Sequence, residues 1–293
     1  MENKFYGIDI GGTSVKIGLF EGTELISQTE IPTDRTDGGK NILPDIAAVL
    51  TAPAAGAGIA VPGAVLPDGT VNRCVNLGWG VFHPGHALTE LTGLPAVVLN
   101  DANAAALGEQ WRGAGAAYQD ILCITVGTGI GGGVIVGGRL VSGANGAAGE
   151  IGHFCVNPQE EEACGCGLHG CLEQYTSATG ITRLSVRAGL GKLSAKDVFA
   201  RAQQGDADCL KIVDTVTTML GRAAASACAV FDPQAVILGG GVSRAGEILR
   251  AGVEAAYRKY AFHACSETAV LLASLGNDAG ICGAARLAMQ SFA

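Results

Sequence analysis

The sequence is poor in aromatic residues and has no concentration of positive charge. Phe, Trp and Tyr make up 5% of its 293 residues, and 19 Lys and Arg stand against 27 Asp and Glu for a formal net charge of −8. No basic run occurs along the chain, which argues against a nucleic-acid partner, because neutralising phosphate requires clustered Lys and Arg. An apolar run long enough to cross a bilayer is also missing, so no membrane-spanning segment is expected. The opening residues MENKFYGIDI lead straight into strand-like sequence without the charged-then-apolar pattern of a signal peptide, and a cytoplasmic protein is expected. No low-complexity tract or disordered linker interrupts the chain.

What is present is length, glycine and cysteine. The chain is long enough for two domains, each burying its own core. Its 10 cysteines are spread along a sequence with no secretion signal, so a reducing compartment fits better than a disulfide framework. Cys74, Cys123, Cys155, Cys209, Cys228, Cys265 and Cys282 lie mostly among apolar neighbours and are expected to pack as small hydrophobes. The other three belong to residues 149–173, GEIGHFCVNPQEEEACGCGLHGCLE. Thiolate and imidazole are preferred zinc ligands, and His153, Cys164, Cys166 and Cys171 would supply the four donors of a closed structural site. His169, inside the same cluster, is an alternative fourth ligand. Glu160, Glu161 and Glu162 read as a solvated tip.

Along the chain, short apolar runs at 5–10 and 15–20 flank the turn Gly11-Gly12-Thr13, giving strand, loop, strand. Residues 43–50 have helical spacing, and 57–61 and 96–99 read as buried strands. A loop containing Asn76 lies between those strands, and Asp101 falls at the junction with an Ala-rich helix over 102–111. The opening device then recurs as a strand over 121–126, a glycine loop over 127–133 and a strand over 134–136. A duplication explains the repeat, and two similar halves facing one another would form a cleft with a glycine loop on each wall. Helices are expected over 176–188, 194–204, 208–230, 243–260 and 279–291, with strands over 235–238 and 270–273.

Residues 127–132 match Gly-x-Gly-x-x-Gly, the dinucleotide fingerprint. That fingerprint requires a following helix, whereas Val134-Ile135-Val136-Gly137-Gly138 continues as a hairpin. An anion-binding nest of backbone amides needs no helix, so phosphate is expected and nicotinamide is not. Asp9, just ahead of Gly11-Gly12-Thr13, is placed to hold hydrated Mg²⁺ carried by a phosphate.

Five motifs in order, Asp9 to Thr13, Asn100 to Glu109, Gly127 to Gly133, Glu150 to His153 and Cys164 to Glu173, resemble the ROK family (repressors, open reading frames, kinases), and within it the bacterial glucokinases. The resemblance implies an α/β, actin-like, hexokinase-type (ribonuclease H-like) fold of two duplicated domains with an interdomain cleft. One domain would comprise 1–110 with a returning helix at about 279–293, the other 111–278. ATP, Mg²⁺ and a hexose would be bound, with a structural Zn²⁺, and a homodimer is implied. Asp101 would be the general base toward the 6-hydroxyl of the sugar. Gly63, Asn76, Asn100, Asp101, Glu150, His153 and Glu173 would contact the sugar. Asp9, Gly11, Gly12, Thr13, Gly127, Thr128, Gly129, Gly131 and Gly132 would bind ATP phosphates with the metal, and Gly239, Gly240 and Gly241 the adenosine. Many members have Lys directly after Gly-Gly-Thr, where this chain has Ser14, with Lys16 two residues on. Kinases of N-acetylmannosamine, allose or fructose are close alternatives. A sugar-responsive repressor of the family would need an N-terminal helix-turn-helix domain, which a first strand starting so near Met1 is expected to preclude.

Overall fold

A computed structural model describes residues 4–293. In chain order its elements are β1 (Lys4–Ile10), β2 (Ser14–Glu21), β3 (Glu24–Pro32), α1 (Ile42–Val49), β4 (Gly56–Val61), β5 (Val71–Cys74), β6 (Trp79–Phe82), α2 (Pro84–Thr92), β7 (Ala96–Asn100) and α3 (Asp101–Arg112). They continue with β8 (Ile121–Val126), β9 (Ile130–Val136), β10 (Arg139–Val141), α4 (Glu173–Thr176), α5 (Ala178–Arg187), α6 (Ala195–Gln203), α7 (Ala207–Phe231), β11 (Ala235–Gly239), α8 (Glu247–Tyr260), β12 (Ala269–Leu272) and α9 (Ala279–Phe292). The chain divides into two compact units, Met1–Ala116 with Arg139–Ala148 and Asn277–Ala293, and Ala117–Gly138 with Gly149–Gly276. Arg139–Ala148 thus clusters with the first unit, whereas the expected boundaries assigned it to the second.

The first unit is built on a sheet of order β3-β2-β1-β4-β7, antiparallel through β1, β2 and β3 and parallel through β1, β4 and β7. A parallel strand covered on both faces reads as a continuous apolar run, and every residue of β4, GAGIAV, is buried. β3 is mostly exposed and carries the polar composition that protects a sheet edge. One core gathers Ile8, Ile10, Ile17, Ile42, Ile46, Ile59 and Leu88. Glycine lets α9 lie directly on the strands: a Cβ at Gly7 would come within 1.9 Å of the Ile281 carbonyl oxygen, and one at Gly58 within 1.8 Å of that of Ala284. Such distances exclude any side chain, so the α9 backbone rests on the sheet. Residues 71–82, read from the sequence as part of a loop, form the two-stranded β5–β6 hairpin.

The second unit repeats the order, with β9-β8-β11-β12 corresponding to β2-β1-β4-β7. Its β8, β11 and β12 are parallel and β9 is antiparallel to β8. This is the duplication expected from the repeated strand, loop and strand. The central helix α7 starts on Asp206, whose side chain accepts from the backbone N–H of Asp208 and Cys209, and ends on Asp232 at φ 50 just before Pro233. The expected helix over 176–188 is α5, which begins after Ser177, whose side chain caps it; the short α4 precedes it. β9 begins at Ile130, so Gly131 and Gly132 are strand residues paired with Thr125 and Ile124 and not loop residues as expected. Glycine inside a strand gives no side-chain signal from which pairing could be read.

Candidate active site and metal centre

In the first unit the proposed residues gather at the carboxyl ends of parallel strands, the usual ligand edge of an open α/β sheet. Asp9 ends β1, Gly63 follows β4 and Asn100 ends β7. The Asn100 carboxamide oxygen accepts from the backbone N–H of Ala102 (2.9 Å) and Asn103 (3.2 Å), and its amide donates to the Gly63 carbonyl (3.0 Å). Asn100 therefore caps α3 while tying two loops together. Asp101 opens the helix, where the peptide dipoles favour an anion, and its Oδ1 accepts from the Ala102 N–H (2.8 Å). The residue is exposed as a whole, yet protein atoms crowd its carboxyl group. Desolvation pushes its pKa above the ordinary range, opposed by the bonds from Ala102 and Asn100. Asn76 lies exposed in the short turn Val75–Leu77 between β5 and β6.

Asp9 is more strongly perturbed. Burial raises its pKa from 3.8 to about 6, the nearby Asp101 adds to the rise, and Lys16 opposes it. Lys16 is paired across the sheet with Asp9, and directly opposed residues share a face. Its Nζ reaches the Asn277 carbonyl (3.3 Å) and Asp278 Oδ1 (3.5 Å) at the start of α9. A Cβ on Gly280 would meet Asp9 Oδ2 at 2.3 Å, so the Asp9 carboxylate also lies against the first turn of α9. The intervening loop, 11–13, is held by Gly11 N–H to Ser14 O (3.0 Å) and by the Thr33 hydroxyl to Gly11 O (2.7 Å). Thr33 gave no sequence signal, because its partner lies across a strand pairing.

The second unit has the corresponding loop, 127–129, between β8 and β9. Gly127 N–H donates to Gly129 O (2.9 Å), Gly127 O accepts from Ala178 N–H (2.8 Å), and Thr128 O accepts from the Thr179 hydroxyl (2.5 Å). The start of α5 thus braces this loop. Gly239 ends β11 opposite Thr125 of β8, and Gly240, at φ 79, leaves only 2.5 Å between a Cβ and the Val126 carbonyl oxygen. Gly239, Gly240, Gly241 and the loop 127–129 therefore share one edge of the sheet. Gly132 instead faces Gly149, whose carbonyl oxygen would meet a Cβ at 2.2 Å; it serves packing at that point, while Gly131 lies beside it in β9.

The four expected zinc donors converge. Ligand atoms of His153, Cys164, Cys166 and Cys171 all lie within 4.8 Å of one another, and the sulfurs of Cys166 and Cys171 are 3.7 Å apart. A tetrahedral site with zinc–sulfur bonds of about 2.3 Å has sulfurs about 3.8 Å apart. His153 Nδ1 is buried without a hydrogen-bond partner, the state of a nitrogen whose partner is a metal ion. Burial, followed by the adjacent Glu173 carboxylate, raises the Cys164 thiol pKa; a divalent ion would reverse that balance and favour the thiolate. The residues fit zinc. His169 is exposed and lies outside the convergent set, so the alternative fourth ligand is set aside.

Two carboxylates lie close to the His153 and cysteine cluster. Glu173 Oε1 accepts from Cys164 Sγ (2.9 Å) and lies 3.8 Å from His153 Nδ1, while Oε2 is 3.5 Å from the Ile130 N–H and 2.7 Å from a Cβ on Gly129. Glu173 thus bridges the donor cluster and the glycine loop. Glu150 Oε2 is 4.0 Å from His153 Nε2.

Of the expected solvated tip, Glu161 and Glu162 are exposed and Glu160 is not. Glu160 is 7% exposed and takes charged hydrogen bonds from Arg183 (2.8 Å) and Arg187 (2.8 and 2.9 Å), with the Tyr175 hydroxyl at 2.5 Å. Its cover is these side chains rather than depth in the core, and they hold its carboxyl well below the usual range, the Arg187 bonds most of all. Glu162 pairs with the same two arginines. The network clamps the cysteine-bearing loop to α5. Arg183 and Arg187, one helical turn apart, were the available sequence signal.

A family model described as ROK matches residues 5–291. The chain belongs to the ROK family. Among ROK relatives, it is 39% identical to a glucokinase of Halalkalibacterium halodurans over 99% of this chain and 96% of that one. It also resembles the crystal structure of a ROK hexokinase from Thermus thermophilus (TM-score 0.89, 34% identity, 98% of each chain). A ROK family glucokinase from Streptomyces griseus, solved with glucose and AMPPNP, matches at TM-score 0.81 and 35% identity over 98% of this chain and 99% of that one. The high TM-scores agree with the expected actin-like, duplicated α/β fold.

Proposed function

We propose that this ROK chain transfers the γ-phosphoryl group of ATP to the 6-hydroxyl of glucose, with Asp101 as general base. The observation that carries the assignment is the Asp101 carboxylate, held at the N-terminus of α3 by the Ala102 N–H with a pKa raised by desolvation. A carboxylate whose pKa is raised is a stronger base toward a hydroxyl proton. Asp101 takes the hydroxyl proton and orients the oxygen for in-line attack. Asn100, fixed to Gly63, holds a neighbouring hydroxyl, and Asn76 lines the same pocket.

Residues 11–13 and 127–129 offer backbone amides to the phosphates, Gly131 and Gly132 lie in β9 just beyond the second loop, and residues 239–241 take the adenosine. Asp9 holds Mg²⁺ through its water shell, and that ion, when bound, neutralises charge developing on the phosphoryl oxygens. Lys16, on the Asp9 face of the sheet, stands in for the lysine absent at Ser14. Zinc, when bound, is structural: His153, Cys164, Cys166 and Cys171 hold it, leaving His153 Nε2, Glu150 and Glu173 for sugar hydroxyls. A metal-bound imidazole commonly uses its second nitrogen in this way. All 10 cysteines are free, which supports a reducing, cytoplasmic setting, and the homodimer implied by the family belongs to the same reading. No helix among the described residues is long and apolar enough to cross a membrane.

A coupled ADP-release assay with Mg-ATP over glucose, N-acetylmannosamine, allose and fructose tests the proposal. Glucose is expected to give the highest kcat/KM. Turnover of none of them would overturn the kinase assignment, and a preference for N-acetylmannosamine would overturn the substrate.

A further inference from the structure

Cys155 was expected to pack in the core, and it does not. It is exposed, it is not one of the four convergent donors, and it forms an isolated antiparallel bridge with Cys171, which is. The bonds flanking that bridge run from Val156 N–H to Gly170 O (2.8 Å) and from Leu172 N–H to Phe154 O (2.9 Å). Neither Cys155 nor Cys171 uses its own backbone groups toward the other, so the two occupy a non-hydrogen-bonded pair. In such a pair the Cα atoms are about 4.5 Å apart and the side chains project to one face, and disulfides span Cα separations from about 4.4 Å upward. A solvent-facing thiol therefore stands opposite a buried thiol of the metal centre, in a register that a disulfide can bridge.

We propose that Cys155 is a redox-sensing thiol that withdraws Cys171 from the zinc site. A peroxide is the oxidant. The Cys155 thiolate attacks one oxygen of hydrogen peroxide, breaking the O–O bond and releasing hydroxide, and becomes a sulfenic acid. The Cys171 thiolate leaves the metal and attacks the Cys155 sulfur. An S–S bond forms, the S–O bond breaks and a second hydroxide departs. Two thiolates lose two electrons, the peroxide gains them, and both hydroxides are protonated to water. His153, Cys164 and Cys166 remain as an incomplete set from which zinc is lost. Within the kinase reading, on which this consequence alone rests, Glu173 two residues beyond Cys171 then loses its support, so KM for the sugar rises more than kcat falls.

Zinc-loaded full-length protein treated with hydrogen peroxide, beside its C155S variant, provides the test. Zinc release is followed with a chromogenic chelator and sulfur linkage by non-reducing peptide mapping. Neither readout depends on kinase activity, so failure here and failure of the kinase assignment are distinguishable. Wild-type protein is expected to yield a Cys155–Cys171 disulfide and to regain zinc binding after dithiothreitol. The variant is expected to release zinc about tenfold more slowly, lacking the exposed thiol that starts the exchange. A Cys166–Cys171 linkage in wild type, or equal release rates in the two proteins, would overturn the proposal.

Discussion

Replacing Asp9 by Asn is expected to stabilise the ligand-free protein while disabling it. The folded pKa of about 6 lies above the ordinary 3.8 because of burial and then Asp101. A raised acid binds more protons folded than unfolded between those two values, so the stability of the native state falls as pH rises through that window. At about 1.4 kcal/mol per pH unit, the ionised Asp9 costs the fold up to about 3 kcal/mol at neutral pH. Asn carries no charge and removes that penalty. The advantage of D9N over wild type should therefore grow by about 2 kcal/mol between about pH 4.5 and 7.5. Ligand-free thermal unfolding at a series of pH values measures it, with a rise of roughly 2 °C per kcal/mol for a chain of this size. Turnover should fall sharply, since the amide is a poor substitute for a carboxylate toward a hydrated divalent ion. A D9N advantage that stays constant over this range would refute the electrostatic argument, and full activity would refute the metal-holding role.

Asp101→Asn should lower kcat on the order of 10²- to 10⁴-fold, with glucose binding by calorimetry and the melting temperature little changed. Asn100→Ala removes one of the bonds that lower the Asp101 pKa; the acid limb of the kcat/KM–pH profile, which is lost as pH falls through that pKa, should move to higher pH. Cys166→Ser should reduce bound zinc from about one per chain toward none and raise KM for the sugar, read by elemental analysis and kinetics. Zinc-free wild type with unchanged KM would remove the metal from the sugar site. Glu160→Gln leaves Arg183 and Arg187 only the exposed Glu162 carboxylate, and removing one partner of a shielded ion pair is destabilising; thermal unfolding should show a lower midpoint than wild type.

The order of strands was readable because strand, glycine loop and strand occurs twice, and each parallel strand is a short apolar run. The convergence of His153, Cys164, Cys166 and Cys171 was readable because three of the four lie within eight residues, 164–171, so spacing alone brings them close. Where a side chain faces was not readable in the same way. Cys155 has the apolar neighbours Phe154 and Val156 yet is exposed, since its orientation follows from pairing with Cys171. Glu160 lies in a run of acids, and only the docking of α5 supplies its arginines.

From the sequence alone follow the family, the fold class and the duplication, because these depend on residue type, local spacing and period. The tertiary structure decided what depends on distant segments meeting. α9 returns across more than 260 residues to set Asn277 and Asp278 beside Lys16 and Gly280 against Asp9. β1 and β7 bring Asp9 and Asp101 within range of each other's charge. A pKa, an orphaned ring nitrogen or a bridgeable pair of thiols is a property of what surrounds a group, and only packing determines those surroundings.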